Sequence, residues 1–268
     1  MSLFIILNKK ILDYFYLILK NRSVAIMQPY FFPYVGYFQL INEADTFVLY
    51  DHVTYRKNTW MNRNRIKDKG TCDPVFITVP IQKKSSYSLI KDISISNQEN
   101  WRGKIKNLLF FNYKKAPFFD EVFTVIEELL FNDHVSLHEY NSFIIKELAE
   151  KIGITTPIIS SSPKHQALED NLFQTIEDPQ KVKEQRVFDL CKLYDSDCYL
   201  NPVNGMDLYH FDRFEENNLK LKFVKTTEVE YPQFKEPFQP YLSIIDLLMH
   251  KGFEGTFEVL QNREIIEK

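Results

Sequence analysis

Short apolar runs alternate with stretches of helical period along most of the chain. VAIMQ at 24–28 is apolar and bounded by polar residues, which predicts a buried strand. GYFQLINEA at 36–44 predicts a short helix, and TFVLY at 46–50 a second apolar strand. A helical crossover of this kind lays the second strand parallel to the first. The residues that follow both strands then meet at one sheet edge, the usual place for chemistry in a parallel sheet. Gln28, Pro29 and Tyr30 arrive there from the first strand, and Asp51 and His52 from the second.

Polar residues dominate 52–74 and predict a loop or hairpin, before VFITVPI at 75–81 alternates like a strand. Asp92 to Ser96 reads as a short extended element. Helical spacing covers Trp101 to Lys115 and Pro117 to Phe131, where Phe119, Val122, Phe123, Ile126, Leu129 and Leu130 make a broad apolar stripe. A further helix over 138–153 stops at Gly153, a residue suited to a left-handed C-cap. TPIIS at 156–160 predicts a strand, and 178–195 a helix with Asp178 as N-cap and Pro179 just inside it. DCYLNP leads from a strand into a polar turn, LKLKFVKT at 219–226 alternates, and PYLSIIDLLMHKG at 240–252 returns to helix.

This succession predicts a mixed α/β domain over 23–268, with a largely parallel sheet and flanking helices. The region 100–155 reads as a helical insertion or lid, although no Gly/Ser/Pro-rich linker marks a boundary. Residues 1–22 form an N-terminal extension whose apolar run is interrupted by Lys9, Lys10 and Asp13. That run is shorter than the roughly 20 residues needed to span a bilayer. It suits a surface helix, an interfacial element or a dimer contact.

The 268 residues amount to 32.0 kDa with a formal charge of -3, which gives no global electrostatic reason to expect nucleic acid. Apolar residues at 44% and charged residues at 26% indicate a soluble folded chain. Its 3 cysteines suit neither a disulfide scaffold nor a paired zinc motif, so a reducing cytoplasm is the default location. The 23 Phe and 15 Tyr are read mainly as core packing, because rigid rings cost little entropy to bury.

The densest candidate chemistry lies in QPYFFPYVGYFQLI and LYDHVTYRKNTWMNRNRI. Pro29 and Pro33 stiffen a connection to a helix N-terminus, and Gly36 permits close approach, so Gln28, Tyr30 and Tyr34 are candidate substrate contacts. Neither a GxGxxG turn nor a phosphate loop is present, and no cofactor is expected. Asp51 is a candidate base for an amine or hydroxyl; its competing reading is a turn cap or an arginine partner. His52 is an alternative base, although neighbours on a strand face opposite ways and need not share a pocket. Arg56, Lys57, Arg63, Arg65 and Lys67 are interleaved with Tyr55, Trp60, Asn62 and Asn64, a pattern suited to phosphate and to stacking on a base or sugar. A solvated hairpin is the plainer reading. At 199–214, Asn201, Asn204, Asp207, Tyr209 and His210 offer directional groups for a hydroxyl-rich ligand, or ordinary turn chemistry.

Other chemistries find less support. His134 and His138 have spacing for one helical face, but no HExxH motif or third ligand accompanies them, so no metal is expected. Cys72, Cys191 and Cys198 form no short redox pair. SSSPKH at 160–165 reads as a polar loop after a strand and lacks a GxSxG elbow.

Residues 24–255 resemble the WbqC-like family. The resemblance is carried by AIMQPYFFPYVGYFQLINEADTFVLYDHVTYRKNTWMNRNRI, VFITVPI, WRGKIKNLLFFNYKKAPFF, YLNPVNG and FQPYLSIIDLLMHKG. It implies a bacterial protein of surface-polysaccharide or O-antigen biosynthesis that transfers glycine or another aminoacyl group to an amino sugar. A nucleotide-linked amino sugar and an activated acyl donor are then the expected partners. Asp51 or His52 would take the amine proton, the basic 56–65 region would hold the nucleotide, and backbone N–H groups near Tyr30 would face the acyl carbonyl. Relatives commonly resemble Asp-Asp-Val where this chain has Asp51-His52, a departure that weakens any mechanism requiring two adjacent carboxylates. The alternatives are a noncatalytic nucleotide-sugar or carbohydrate-binding module, and a scaffold that associates with itself or with a polysaccharide-biosynthesis protein. A cytoplasmic location, peripheral to the inner membrane, fits each.

Overall fold

The computed structural model describes residues 22–268 apart from 72, 84, 86, 228, 235 and 236. β1 (Ser23–Met27), α1 (Val35–Glu43) and β2 (Thr46–Leu49) form the expected parallel unit, with Met27 abreast of Leu49. A hairpin of β3 (Arg63–Lys67) and β4 (Pro74–Thr78) follows, then α2 (Trp101–Tyr113), α3 (Phe119–Leu130) and α4 (Leu137–Ile152) lead back to β5 (Ile158–Ser160). The second half runs α5 (Pro163–Thr175), α6 (Pro179–Leu193), β6 (Cys198–Pro202), α7 (Phe211–Glu216), β7 (Lys220–Thr226), α8 (Ile244–Val259) and β8 (Arg263–Ile266). The main sheet has six strands in the order β5-β2-β1-β6-β7-β8, all parallel except the edge pair β7–β8. Chain progression reverses between β1 and β6, and such a switch opens a crevice at the carboxyl ends of the strands.

Alternation along the strands builds two cores. Val24, Val48, Tyr199, Leu221 and Phe223 pack with Val187, Leu190 and Cys191 of α6 on one face. Ala25, Phe47, Leu49, Leu200 and Val224 pack on the other with α1, the α2–α4 helices and α8. Covering both faces is why these strands read as unbroken apolar runs rather than as alternating ones. Phe47 is fully buried, and its truncation to Ala would cost about 3–5 kcal/mol.

Gly36 fits this scheme for a steric reason. A Cβ there would lie 2.5 Å from Thr226 Oγ1 and 2.5 Å from the Tyr34 ring, so only glycine lets the start of α1 come this close to β7. Gly252 interrupts α8 at φ 67, where a Cβ would meet the Phe118 ring at 2.7 Å.

Several elements differ from the sequence expectation. The 160–165 segment is not simply a loop: Ser162 caps α5, accepting from the His165 backbone while its own N–H donates to His165 Nδ1. The inward stripe of α5 is His165, Glu169 and Leu172, so its helical period is carried largely by polar residues and escapes an apolar pattern. Asp92 closes a 3-10 turn instead of opening a strand, while Ser94 and Ile95 make only isolated bridges. His134 precedes α4 and is exposed, so it does not share a helical face with buried His138. The four-residue β8 is too short to stand out from its polar flanks. Residues 1–21 and Cys72 lie outside the described residues. Among the described residues, no helix is long and apolar enough to cross a membrane.

Candidate active site at the carboxyl edge of the sheet

Asp51 and His52 emerge just beyond β2, where Tyr50 N–H still donates to Met27 O at 2.8 Å. Strand alternation has ended there, so the two side chains turn to each other instead of to opposite faces. His52 Nδ1 lies 2.8 Å from Asp51 Oδ1, and His138 Nδ1, in the first turn of α4, lies 3.4 Å from Oδ2. All three residues are buried. The contacts are close, yet Asp51 Oδ1 and both Nδ1 atoms make no aligned hydrogen bond. A buried carboxylate with unspent capacity between two imidazoles is costly to keep for packing alone. Burial holds the His138 pKa below its ordinary 6.5, against the opposing pull of Asp51, and favours the neutral ring that can accept a proton.

A second layer of polar side chains supports this cluster from α5 and α6. Tyr50 donates to Glu169, which is also gripped by Arg186 through Nε and, at 2.8 Å, through Nη2. Burial, then the Glu169 carboxylate, raises the Tyr50 pKa and keeps its hydroxyl a donor. His165 accepts from Ser162 N–H through Nδ1, which leaves Nε2–H to donate to Tyr194 Oη at 2.7 Å. The His165 ring stands 6.1 Å from the His52 ring and 5.4 Å from Tyr50. Sequence reading missed His138, His165, Glu169 and Arg186 as members of one site. The HxxxE spacing of His165 and Glu169 on α5 is a local signal for those two alone, and none marks His138 or Arg186.

Gln28 and Tyr30 also reach this edge, but they bond to each other at 3.2 Å, and Gln28 O accepts from Tyr37 Oη at 2.8 Å. Phe31 N–H donates to Trp60 O at 2.8 Å, so that amide beside Tyr30 is already committed. Burial raises the Tyr30 pKa to about 12.

The basic hairpin forms a separate surface. Arg63 lies over Phe76 at 4.5 Å and Arg65 over Trp60 at 5.5 Å, both on the face of β3 opposite buried Asn64 and Ile66. Arg65 approaches Tyr241 O at 3.5 Å, and Tyr241 meets Tyr34 edge-on at 6.1 Å. Tyr241 also borders a groove of 930 Å³ lined by Val35, Thr226, Tyr231, Phe238 and Leu247. Arg56 is exposed on the preceding turn. Asn64 has its side chain committed within the fold, with Nδ2 donating to Phe31 O at 3.0 Å and Phe32 O at 2.6 Å and Oδ1 accepting from Arg65 N–H at 2.8 Å.

At the end of β6, Asn201 is buried and accepts from Tyr199 Oη at 3.3 Å. Asn204 and Asp207 are exposed, while Tyr209 packs edge-on against Tyr199 at 5.5 Å. Cys191 and Cys198 are free and buried, and burial pushes their thiols up to about 12 and about 11, so both are unreactive packing groups. Among the described residues, no group of three or more His, Cys, Asp or Glu side chains is arranged to hold a metal ion.

Fold and site together define a doubly wound α/β domain whose carboxyl sheet edge carries a buried carboxylate and imidazole cluster after β2. The chain belongs to the WbqC-like protein family, which it matches over residues 28–257. An uncharacterized protein of Mycobacterium tuberculosis, Rv1507c, is 27% identical to it over 236 residues, covering 87% of this chain and 96% of the relative. No solved structure matches the chain.

Proposed function

We propose that this protein transfers glycine or another aminoacyl group from an activated donor to the amine of a nucleotide-linked amino sugar in surface-polysaccharide biosynthesis. The observation that carries the reading is the buried Asp51 carboxylate set between His52 and His138, with Oδ1 making no hydrogen bond within the fold. Asp51 is the orienting carboxylate, and an imidazole is the base. The sugar amine attacks the acyl carbonyl, its proton passes to the imidazole Nε2, and the bond from acyl carbon to leaving group breaks. Amide and protonated leaving group are the products. The Trp60, Arg65 and Tyr241 surface is suited to the nucleotide, because guanidinium groups match phosphate and rings stack on a base.

The test is incubation of the full chain with nucleotide-linked amino sugars and glycyl thioesters, read by the mass of the sugar product. Asp51→Asn is expected to lower turnover by about 10²–10⁴ while sugar binding, followed by ligand-detected NMR, persists. Binding of the sugars with every activated donor left unchanged would overturn the reading. That result would favour a nucleotide-sugar binding module, for which the aromatic and arginine surface beside the 930 Å³ groove is the supporting observation.

A further inference from the structure

We infer that Ser160 is an acyl-carrying nucleophile activated by Lys146, so that transfer proceeds through a covalent ester on the protein. Ser160 is the last residue of β5, at the carboxyl edge of the parallel sheet, and accepts a hydrogen bond from Lys146 Nζ of α4 at 2.8 Å. Its register partner on β2 is Leu49, two residues before Asp51. Helix α4 supplies Lys146 to Ser160 and His138 to Asp51, so both side chains meet the same helix. Ser160 and the Asp51 cluster therefore follow neighbouring parallel strands, ~4.8 Å apart, at one carboxyl edge.

The chemistry of Lys146 fits a base better than a structural cation. Among the described residues no carboxylate pairs with it. Burial lowers its pKa, and the charged form is disfavoured further by the absence of a counter-ion. An amine whose pKa burial lowers, within hydrogen-bond reach of a hydroxyl, has the geometry required of the base for an activated nucleophile. SSSPKH lacks the strained elbow of the α/β-hydrolases, but here the end of a parallel strand places the serine instead.

The step rests on the acyl-transfer reading and balances as a double displacement. Ser160 Oγ attacks the carbonyl of an aminoacyl thioester or acyl phosphate while Lys146 Nζ takes its proton. The bond to sulfur or phosphate oxygen breaks, and the leaving group departs with that proton. The amine of the amino sugar then attacks the ester and loses a proton to the imidazole beside Asp51 as the bond from acyl carbon to Ser160 Oγ breaks; Ser160 regains its hydroxyl proton from Lys146, and the imidazolium returns its proton through solvent to restore Lys146.

The test is intact-mass and peptide mapping of the full chain after exposure to a glycyl thioester without sugar, and separately to a fluorophosphonate. Ser160 is expected to carry the glycyl and phosphonyl groups. Ser160→Ala removes the label and Ser161→Ala retains it. Lys146→Arg preserves the hydrogen bond and the charge but cannot become neutral; it is expected to slow labelling by about 10²-fold or more at an unchanged Tm. A merely structural lysine would leave the labelling rate unmoved. Absence of label at Ser160 with both reagents, or sugar acylation by Ser160→Ala at the wild-type rate, overturns the inference while leaving the transfer reading intact. Labelling of Ser160 with no sugar acylated under any condition supports the nucleophile and counts against the amino-sugar acceptor.

Discussion

Replacing Asn64 by Ala separates a bracing role from a binding role at a position whose sequence context suggests a ligand contact. Its amide donates to the carbonyls of Phe31 and Phe32 at 3.0 and 2.6 Å and closes the connection between β1 and α1. Phe32 sits at φ 41, a left-handed conformation that costs a bulky residue about 1–2 kcal/mol and persists only where neighbours hold it. Truncation removes these two bonds and the one Oδ1 accepts from Arg65 N–H, each worth about 1 kcal/mol, and leaves Phe31 O without this donor at about 1–3 kcal/mol. Phe32 O keeps the Ser243 hydroxyl at 2.8 Å, so its share of the loss is the smaller one. The expected destabilisation is about 3 kcal/mol, which for a domain of this size lowers Tm by about 6–12 °C. Urea unfolding followed by fluorescence measures it, with Asn64→Asp as a second variant that keeps the shape but loses both donors. A loss below about 1 kcal/mol in both variants, accompanied by weaker nucleotide-sugar binding, would refute the bracing role and make Asn64 a ligand contact.

Other perturbations test the site and its supports. His138 and His165 are both held below the ordinary 6.5 by burial, so the unfolded chain binds more protons than the folded one in mild acid. Their contribution is complete above about pH 6.5 and is lost as pH falls through the folded values, at up to about 1.4 kcal/mol per pH unit for each. Urea midpoints taken across this range should fall, and His165→Gln should flatten the slope; a midpoint independent of pH would contradict the burial argument. Asp246 is fully buried and accepts from Tyr113 Oη at 2.6 Å, Tyr231 Oη at 2.8 Å and Gln233 Nε2 at 3.0 Å. Asp246→Ala orphans these donors and should cost about 3–5 kcal/mol by chemical denaturation, whereas a change under about 1 kcal/mol would show that the network relaxes. Gly252→Ala faces both φ 67 and the Phe118 ring and should cost about 2–3 kcal/mol; an unchanged Tm would mean that α8 straightens. Arg65→Ala with Trp60→Ala should weaken nucleotide-sugar binding tenfold or more at unchanged stability, read by ligand-detected NMR.

The local pattern of the chain determined the β1-α1-β2 unit, because its strands are buried on both faces and declare themselves as apolar runs separated by a helix. It also determined that Asp51 and His52 leave the sheet at its carboxyl edge, since that depends only on where an apolar strand stops. The remaining site was set by long-range packing. His138 reaches Asp51 from a helix that begins more than eighty residues later, and Glu169 and Arg186 meet Tyr50 from two further helices. The same limit explains Asn64 and Lys146. As a sequence, RNRIK is a basic, solvated stretch; in the fold, period-2 alternation turns Asn64 into the core and leaves Arg63 and Arg65 on aromatic rings outside. Lys146 is one polar position on a long helix until the β2–β5 register brings Ser160 under it. Periodicity reports which face of an element is buried, because burial repeats with the backbone. It carries no information on which element covers that face, and catalytic neighbours are made by that second choice.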